Sequence, residues 1–321
     1  MPALYLTEDD VRKVVDMPAA INIVERAIKH LADGKATNVP RNRASAPGII
    51  LHSMSSAAEY LGTCGWKQYT TTKHGARFLV GLYDNAGGDI AALIEADYLG
   101  QLRTGAVTGV AVRRLARSDA NRVGVFGTGA QARTQLEAVA AALPIKQALV
   151  YSRDAQRRAQ FCETMASRLG IAVEPVAEPA AAVRGLPIVV TATTSKTPVF
   201  NGDDVGPGTV VCAVGSNWLN KAEIDTATVA RAARVVCDDV AACRHEAGDL
   251  VPALEVGVFR WEQAVSLGDV LAGRAVGRTT DDDVLVFKSV GLAVEDVAMA
   301  TEILSQAKAA NLGTPLPFGH D

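Results

Sequence analysis

The chain has 321 residues, 49% of them hydrophobic, and 32 Lys and Arg against 35 Asp and Glu give a net charge of −3. That is enough apolar material for a large core in two domains, and too little positive charge for a nucleic-acid or anionic-membrane partner. No apolar run is long enough to span a bilayer, the acidic opening Glu8-Asp9-Asp10 matches neither a signal nor a transit peptide, and the five cysteines (Cys64, Cys162, Cys212, Cys237, Cys243) show no C-x-x-C spacing, which together predict a cytoplasmic protein with free thiols.

Thr7, with Asp10 three residues on, has the form of a helix N-cap before a short turn. Asp16-Met17-Pro18 opens a longer helix, in which Ile21, Val24, Ile28 and Leu31 recur at helical spacing and Gly34 suits the exit. Between residues 39 and 95 the pattern turns to strands, at 49–51, 63–72, 78–83 and 90–94, with Asn85-Ala-Gly-Gly88 as a hairpin turn. Residues 97–116 return to helix, with Val107, Val110, Ala111 and Leu115 on one face, and 118–121 form the expected hinge into a second domain.

That domain is organised around Arg122-Val-Gly-Val-Phe-Gly-Thr-Gly-Ala-Gln-Ala132. A short apolar strand runs into G-x-G-x-x-A and then into a helix over 131–143, with a second strand at 148–151. Gly127 permits the sharp turn, Gly129 lets the backbone approach a pyrophosphate, and Ala130, Gln131 and Ala132 open the helix whose unpaired N–H groups receive the phosphates. The acid expected about twenty positions on, to hold an adenosine ribose, is missing. Tyr151-Ser152-Arg153-Asp154 stands there instead. Either Ser152 and Arg153 accept a 2′-phosphate, which favours NADP(H) over NAD(H), or Ser152 caps the next helix and Arg153 is solvated.

Beyond this point strands (173–176, 187–191, 209–214, 235–237, 284–287) alternate with helical stretches (156–169, 179–185, 226–233, 291–311), the pattern of a parallel sheet covered on both faces. Such a sheet binds its ligand at the carboxyl ends of its strands, where Thr191-Ala-Thr193-Thr194, Val214-Gly-Ser216-Asn217 and Phe287-Lys-Ser289-Val-Gly291 stand. Thr191, Thr193, Val214, Ser216, Ser289 and Gly291 therefore join the fingerprint residues as candidate cofactor contacts.

In the N-terminal part, Arg41, Arg43, Lys67, Lys73, Arg77 and Arg103 are candidates for holding an anionic substrate. Lys67 follows Cys64-Gly-Trp66 inside a strand: it either points outward with the alternation or is a buried ammonium that needs a partner. There is no G-x-S-x-G elbow and no H-E-x-x-H motif. Cys243, His245, Glu246 and Asp249 fit no tetrahedral metal template, and His30, His52, His74 and His320 form no constellation.

Taken in order, Val39-Pro-Arg41, Gly65-Trp-Lys67, Leu102-Arg-Thr-Gly-Ala106, Gly127-Thr-Gly-Ala-Gln131, Ala213-Val-Gly-Ser-Asn217 with Glu223, Glu246-Ala-Gly-Asp249 and Phe287-Lys-Ser-Val-Gly291 with Glu295-Asp296 resemble the ornithine cyclodeaminase/mu-crystallin family over nearly the whole chain. The resemblance implies a homodimer of two-domain α/β subunits. A Rossmann-type doubly wound parallel sheet (120–290) would bind the dinucleotide. A second α+β domain (1–119 and 291–321), built from the N-terminal part and the C-terminal helix, would bind substrate and dimerise. It further implies action on a small α-imino, α-keto or α-amino acid with NAD(P). Arg41, Lys67 and Arg103 would hold the substrate carboxylate, with Arg43 the alternative to Arg41, and Thr104 would approach the cofactor phosphates. Lys67 or a bound water would supply a proton. Trp66, Tyr69, His52 and Trp218 are the candidates for shaping the side-chain pocket.

Ornithine cyclodeaminase carries an aspartate where this chain has Asn217, and a neutral amide cannot hold an ammonium or take a proton as a carboxylate does. The expectation is therefore an imine reductase or amino acid dehydrogenase. A cyclodeaminase retaining NAD+ and a non-enzymatic NADPH-bound ligand carrier are the alternatives.

Overall fold

The computed structural model describes residues 2–318, so His320 lies outside the described residues. Two compact units emerge, Met1–Arg103 with Leu292–Asp321, and Thr104–Gly291. The sequence predicts a hinge at 118–121, whereas this division falls between Arg103 and Thr104, inside a helix.

The first unit opens with β1 (Leu4–Leu6), α1 (Glu8–Val14) and α2 (Met17–Ala32). Thr7 and Asp10 cap α1 reciprocally: Asp10 N–H donates to Thr7 Oγ1 (3.3 Å) and Thr7 N–H donates to Asp10 (3.1 Å). Asp16 accepts from Ala19 N–H at the start of α2, which buries Ile21, Val24 and Ile28. An antiparallel meander follows, β2 (Ala36–Ala46), β3 (Ile49–Ala58), β4 (Thr63–Thr72), β5 (Gly75–Asp84) and β6 (Ile90–Glu95), with β1 parallel to β6 at its edge. α3 (Asp97–Leu115) then carries the chain into the second unit.

There β7 (Arg122–Phe126), α4 (Ala130–Ala142), β8 (Gln147–Tyr151), α5 (Ala155–Leu169), β9 (Ala172–Pro175), β10 (Ile188–Thr191) and β11 (Val210–Ala213) build the predicted alternation. α6 (Thr226–Arg231), β12 (Arg234–Cys237), α7 (Val240–Glu246), α8 (Val251–Glu255), β13 (Ala264–Ser266), α9 (Leu267–Leu271) and β14 (Leu285–Lys288) complete it. Every pairing in this sheet is parallel, in the order β13-β12-β14-β11-β10-β7-β8-β9. The order reverses between β7 and β10, the switch point at which such sheets open a crevice. The helix expected over 179–185 is a single 3₁₀ turn, Pro179–Ala182, and Gly185 takes φ +65° before β10.

The chain returns to the first unit as α10 (Ala293–Ala309) and β15 (Thr314–Pro315), the latter antiparallel to β1. α10 lies on the inner face of the meander. Thr301 is hydrogen-bonded to Thr63 (3.1 Å), and Gly65 admits Val297, whose Cγ2 would stand 3.2 Å from any Cβ added there. No helix among the described residues is long and apolar enough to cross a membrane.

Candidate active site

The second unit has a cleft of about 650 Å³ at the carboxyl ends of β7, β8 and β10, lined by residues 126–129, 151–154 and 192–195 among others. Gly127 has φ +111°, and a Cβ there would come 2.5 Å from the Ala192 carbonyl oxygen, so only glycine makes this turn. Gly129 differs: its φ is −85°, and a Cβ would meet nothing within 4 Å. The protein itself leaves that space open. Gly129 is also the N-cap of α4 and offers no side chain to the helix's first N–H groups. Gln131 Oε1 is buried with no hydrogen-bond partner among the described residues. An open glycine, uncapped N–H groups and an orphaned amide oxygen fit the phosphates and polar edges of a dinucleotide.

At the end of β8 it is Asp154, not Ser152, that caps α5, accepting from Arg157 N–H at 3.0 Å. Ser152 donates instead to the Asp154 carbonyl (3.1 Å), and Arg153 is exposed on the cleft wall. Thr104, half-buried on α3, is tied to the fingerprint helix by Gln135, whose amide donates to its carbonyl at 2.9 Å. The remaining candidates lie deeper. Thr191 is fully buried and donates to Glu223 (2.9 Å), while Thr193 lines the cleft and also donates to Glu223 (2.7 Å). Val214 N–H donates to the Thr191 carbonyl, and the Ser216 carbonyl accepts from Lys288 Nζ (2.7 Å). Ser289 Oγ and Gly291 N–H both donate to Asp238, each at 2.8 Å. These residues shape the strand ends through three buried acids, Glu223, Asp238 and Asp249. Glu223 and Asp249 stand in the motifs that carry the family resemblance, whereas Asp238 stands in none of them and is the acid that sequence reasoning missed. Asn217 and Trp218 are half-buried in the loop after β11.

In the first unit, β2 pairs Val39 with Ser55 and Asn42 with Ser53, so Pro40 and Arg41 together oppose Met54. This bulge re-aims the strand and brings Arg41 inward. Met54 pairs with Lys67 and Lys67 with Val80, so Arg41 and Lys67 share one row across the sheet. Lys67 is 2% exposed: it points inward with Tyr69, and the alternation sends Trp66 to the opposite face, where its ring covers Gly81. Trp66 is thereby removed from the face that carries Lys67, whereas Tyr69 and His52 remain on it.

Lys67 Nζ donates to Asp296 Oδ1 at 2.7 Å, and Arg103 Nε donates to the same oxygen at 3.1 Å. Arg103 Nη1 also donates to Glu295 at 2.9 Å. Both acids are fully buried in the first turn of α10, where the helix end favours negative charge. Gly100 makes room for the ammonium, since a Cβ there would lie 2.9 Å from Lys67 Nζ. Burial pushes Lys67 down to about 8, with Arg103 and Arg41 pushing the same way and Asp296 opposing them. Burial works against the Arg103 charge too, but Asp296 and Glu295 outweigh it and raise its pKa.

The next row of the same face is Arg43, His52, Tyr69 and Phe78. The His52 and Tyr69 rings stack at 4.1 Å and those of Tyr69 and Phe78 at 4.9 Å. Burial, then Arg43 and Arg41, push His52 down to about 4, so it is neutral at physiological pH. Asp249 and Cys243 are spent elsewhere: Asp249 pairs with Lys288 at 2.6 Å, and Cys243 Sγ lies 3.4 Å from Asp238. Lys73 and Arg77 lie at the exposed end of the β4–β5 hairpin, away from the buried row.

A profile of the ornithine cyclodeaminase/mu-crystallin family matches residues 2–311. A Delta(1)-pyrroline-2-carboxylate reductase of Bacillus cereus is 30% identical over 325 residues, spanning 98% of this chain and all of that protein. Among solved structures, Delta(1)-pyrroline-2-carboxylate reductase of Thermococcus litoralis, in complex with NADH and L-proline, superposes with a TM-score of 0.94 at 31% identity, covering 98% of this chain and all of that one. An archaeal alanine dehydrogenase, a dimer with bound NAD, gives a TM-score of 0.94 at 30% identity, covering 99% of this chain and all of that one.

Proposed function

The chain belongs to the ornithine cyclodeaminase/mu-crystallin family, and from that premise we propose that it is an NAD(P)H-dependent reductase of small α-imino acids, or an amino acid dehydrogenase in the reverse direction. The observation that carries this reading is the convergence of Lys67 and Arg103 on one buried carboxylate, in the row that also holds Arg41. Burying cations this deeply is costly and fits a site built for an anion. The activities of the relatives supply the substrate class.

Arg41 and Arg103 grip the substrate carboxylate, and Lys67 completes the anion site. A nicotinamide cofactor bound in the dinucleotide cleft supplies the hydride. The carboxylate grip fixes the α-carbon in orientation, which is the chief contribution these side chains make to rate. Lys67 Nζ, with a pKa of about 8, holds a proton at neutral pH that it can give to the product nitrogen, and Asp296 keeps Nζ itself in place. Asn217, neutral where cyclodeaminases carry an aspartate, offers a hydrogen bond and no charge, which disfavours amine loss and cyclisation.

NADP(H) is the preferred cofactor and NAD(H) the alternative. Asp154 is committed to capping α5, and the presence of Ser152 and the exposed Arg153 on the cleft wall supports a 2′-phosphate contact. The unit formed by the N-terminal part and α10 binds substrate and dimerises. Val39, Ile49 and Leu51, exposed apolar residues of β2 and β3, support a self-association face there. All five cysteines are free thiols, in keeping with a cytoplasmic setting.

The test is the absorbance of NADPH and NADH with pyrroline-2-carboxylate, piperideine-2-carboxylate, and pyruvate with ammonia or methylamine. Cofactor oxidation with one of these is expected. Ammonia release from ornithine or lysine without net cofactor oxidation would replace the reductase by a cyclodeaminase.

A further inference from the structure

Glu223, in the connection between β11 and α6, is completely buried. Its carboxylate accepts four hydrogen bonds. Oε1 takes Thr193 N–H (2.6 Å) and Thr193 Oγ1 (2.7 Å), while Oε2 takes Thr191 Oγ1 (2.9 Å) and Gly215 N–H (2.7 Å). One carboxylate thus joins the end of β10 to both loops that leave β10 and β11. Gly215 has to be glycine, since a Cβ there would come 2.4 Å from Glu223 Oε1.

Glu223 is itself anchored. Its N–H donates to Asp249 Oδ1 (2.5 Å), and the other oxygen of Asp249 pairs with Lys288 Nζ (2.6 Å) on β14. Lys288 Nζ in turn donates to the carbonyls of Ser216 (2.7 Å) and Ala213 (3.2 Å). One buried chain of polar contacts therefore ties together the carboxyl ends of β10, β11 and β14. The loop leaving β10 supplies residues 192–195 of the cleft wall, on the side of the switch point away from β8 and the adenosine position. An ionised carboxylate accepts at both oxygens, whereas an amide would present N–H groups to two of these four donors.

We propose that Glu223 is a positioning residue of the dinucleotide cleft: its carboxylate fixes Thr193 and Gly215 in the arrangement that receives the nicotinamide end of the cofactor. The proposal rests on the reading of this cleft as a NAD(P)H site.

It is tested by titrating NADPH and NADH fluorescence against the wild-type protein and Glu223→Gln, Thr191→Val and Gly215→Ala, with circular dichroism and thermal melts beside each titration and steady-state kinetics for KM and kcat. Glu223→Gln is expected to fold and to weaken cofactor binding at least tenfold, with the cofactor KM rising more than kcat falls. Thr191→Val removes one of the four donors, behind the cleft wall, and should weaken binding by a smaller factor, about threefold. Should Glu223→Gln not fold, Gly215→Ala, which crowds the same carboxylate without removing it, is expected to show the tenfold loss. Folded Glu223→Gln or Gly215→Ala protein that binds cofactor within twofold of wild type, whatever its melting temperature, overturns the proposal. Wild-type protein that binds neither nucleotide would instead overturn the reading of the cleft itself.

Discussion

A pH profile tests the role given to Lys67 most directly. Burial, with Arg103 and Arg41 adding to it, pushes the ammonium down to about 8. If the protonated form holds the substrate or delivers the proton, kcat/KM follows the fraction protonated, which drops about ninetyfold between pH 7 and pH 10 for a group titrating at 8. The substrate iminium titrates as well and adds its own limb, so the comparison is with Lys67→Arg. An arginine keeps its charge throughout this range and can still reach Asp296. The variant should be slower at pH 7, because a guanidinium holds its proton too tightly to give it up. Its normalised profile should nevertheless lack the descent through pH 8. In Asp296→Asn the group that raises the Lys67 pKa is gone, so the limb should move below 8. Stopped-flow oxidation of NADPH at subsaturating imine, taken at half-unit steps of pH, measures all three. Superposable normalised profiles for wild type and Lys67→Arg would refute the assignment and give the limb to the substrate.

Arg103→Ala should lower kcat/KM roughly a thousandfold, as expected for truncating one partner of a buried charge pair, while NADPH binding by fluorescence stays within twofold. The same variant strands Glu295 and Asp296 and should lower stability to urea by about 3–5 kcal/mol. Gly129→Ala should leave stability within about 0.5 kcal/mol, since φ is ordinary and the space is empty, yet weaken both nucleotides at least tenfold by calorimetry. Gly127→Ala, at φ +111° and facing the Ala192 carbonyl, should instead fail in the melt. Arg153→Ala should raise the KM for NADPH tenfold or more and leave that for NADH unchanged. Equal effects on both would remove the 2′-phosphate contact.

What was legible in the sequence follows from how local each feature is. The fingerprint declares itself because a strand, a two-glycine turn and a helix are contiguous: Gly127 makes the sharp turn and Gly129 leaves open space beside the backbone. The capping box of Thr7 and Asp10 is legible for the same reason. Lys67 was undecidable alone, because strand alternation fixes which residues share a face but not which face is buried. Asp296, 229 residues away, settles it. The bulge at Pro40 and Arg41 depends on pairing with β3 and has no local signature beyond the proline. β13 and α7 to α9 are only three to seven residues long and carry too few apolar positions for a period to emerge. Ser152 was weighed as the cap of α5, but Asp154 two residues on has the shorter reach to the helix and takes that role.

The two acids of α10 explain how three basic side chains can share a buried face. Removal from water alone can lower a lysine pKa by about 3–5 units, enough to bring Lys67 close to or below pH 7. Arg41 and Arg103 push it further in the same direction. Asp296, 2.7 Å away, recovers enough of that loss to keep the pKa near 8, so at neutral pH about ten ammonium groups stand for each neutral amine. Asp296 and then Glu295 do the corresponding work for Arg103, Asp296 at Nε and Glu295 at Nη1. Because both acids sit in the first turn of one helix, the positions of Lys67 on β4 and Arg103 on α3 are fixed by a single rigid element. On the proposed reading, a substrate carboxylate would meet cations that are already charged and already held in place. The last long helix thereby decides whether Lys67 carries charge at neutral pH.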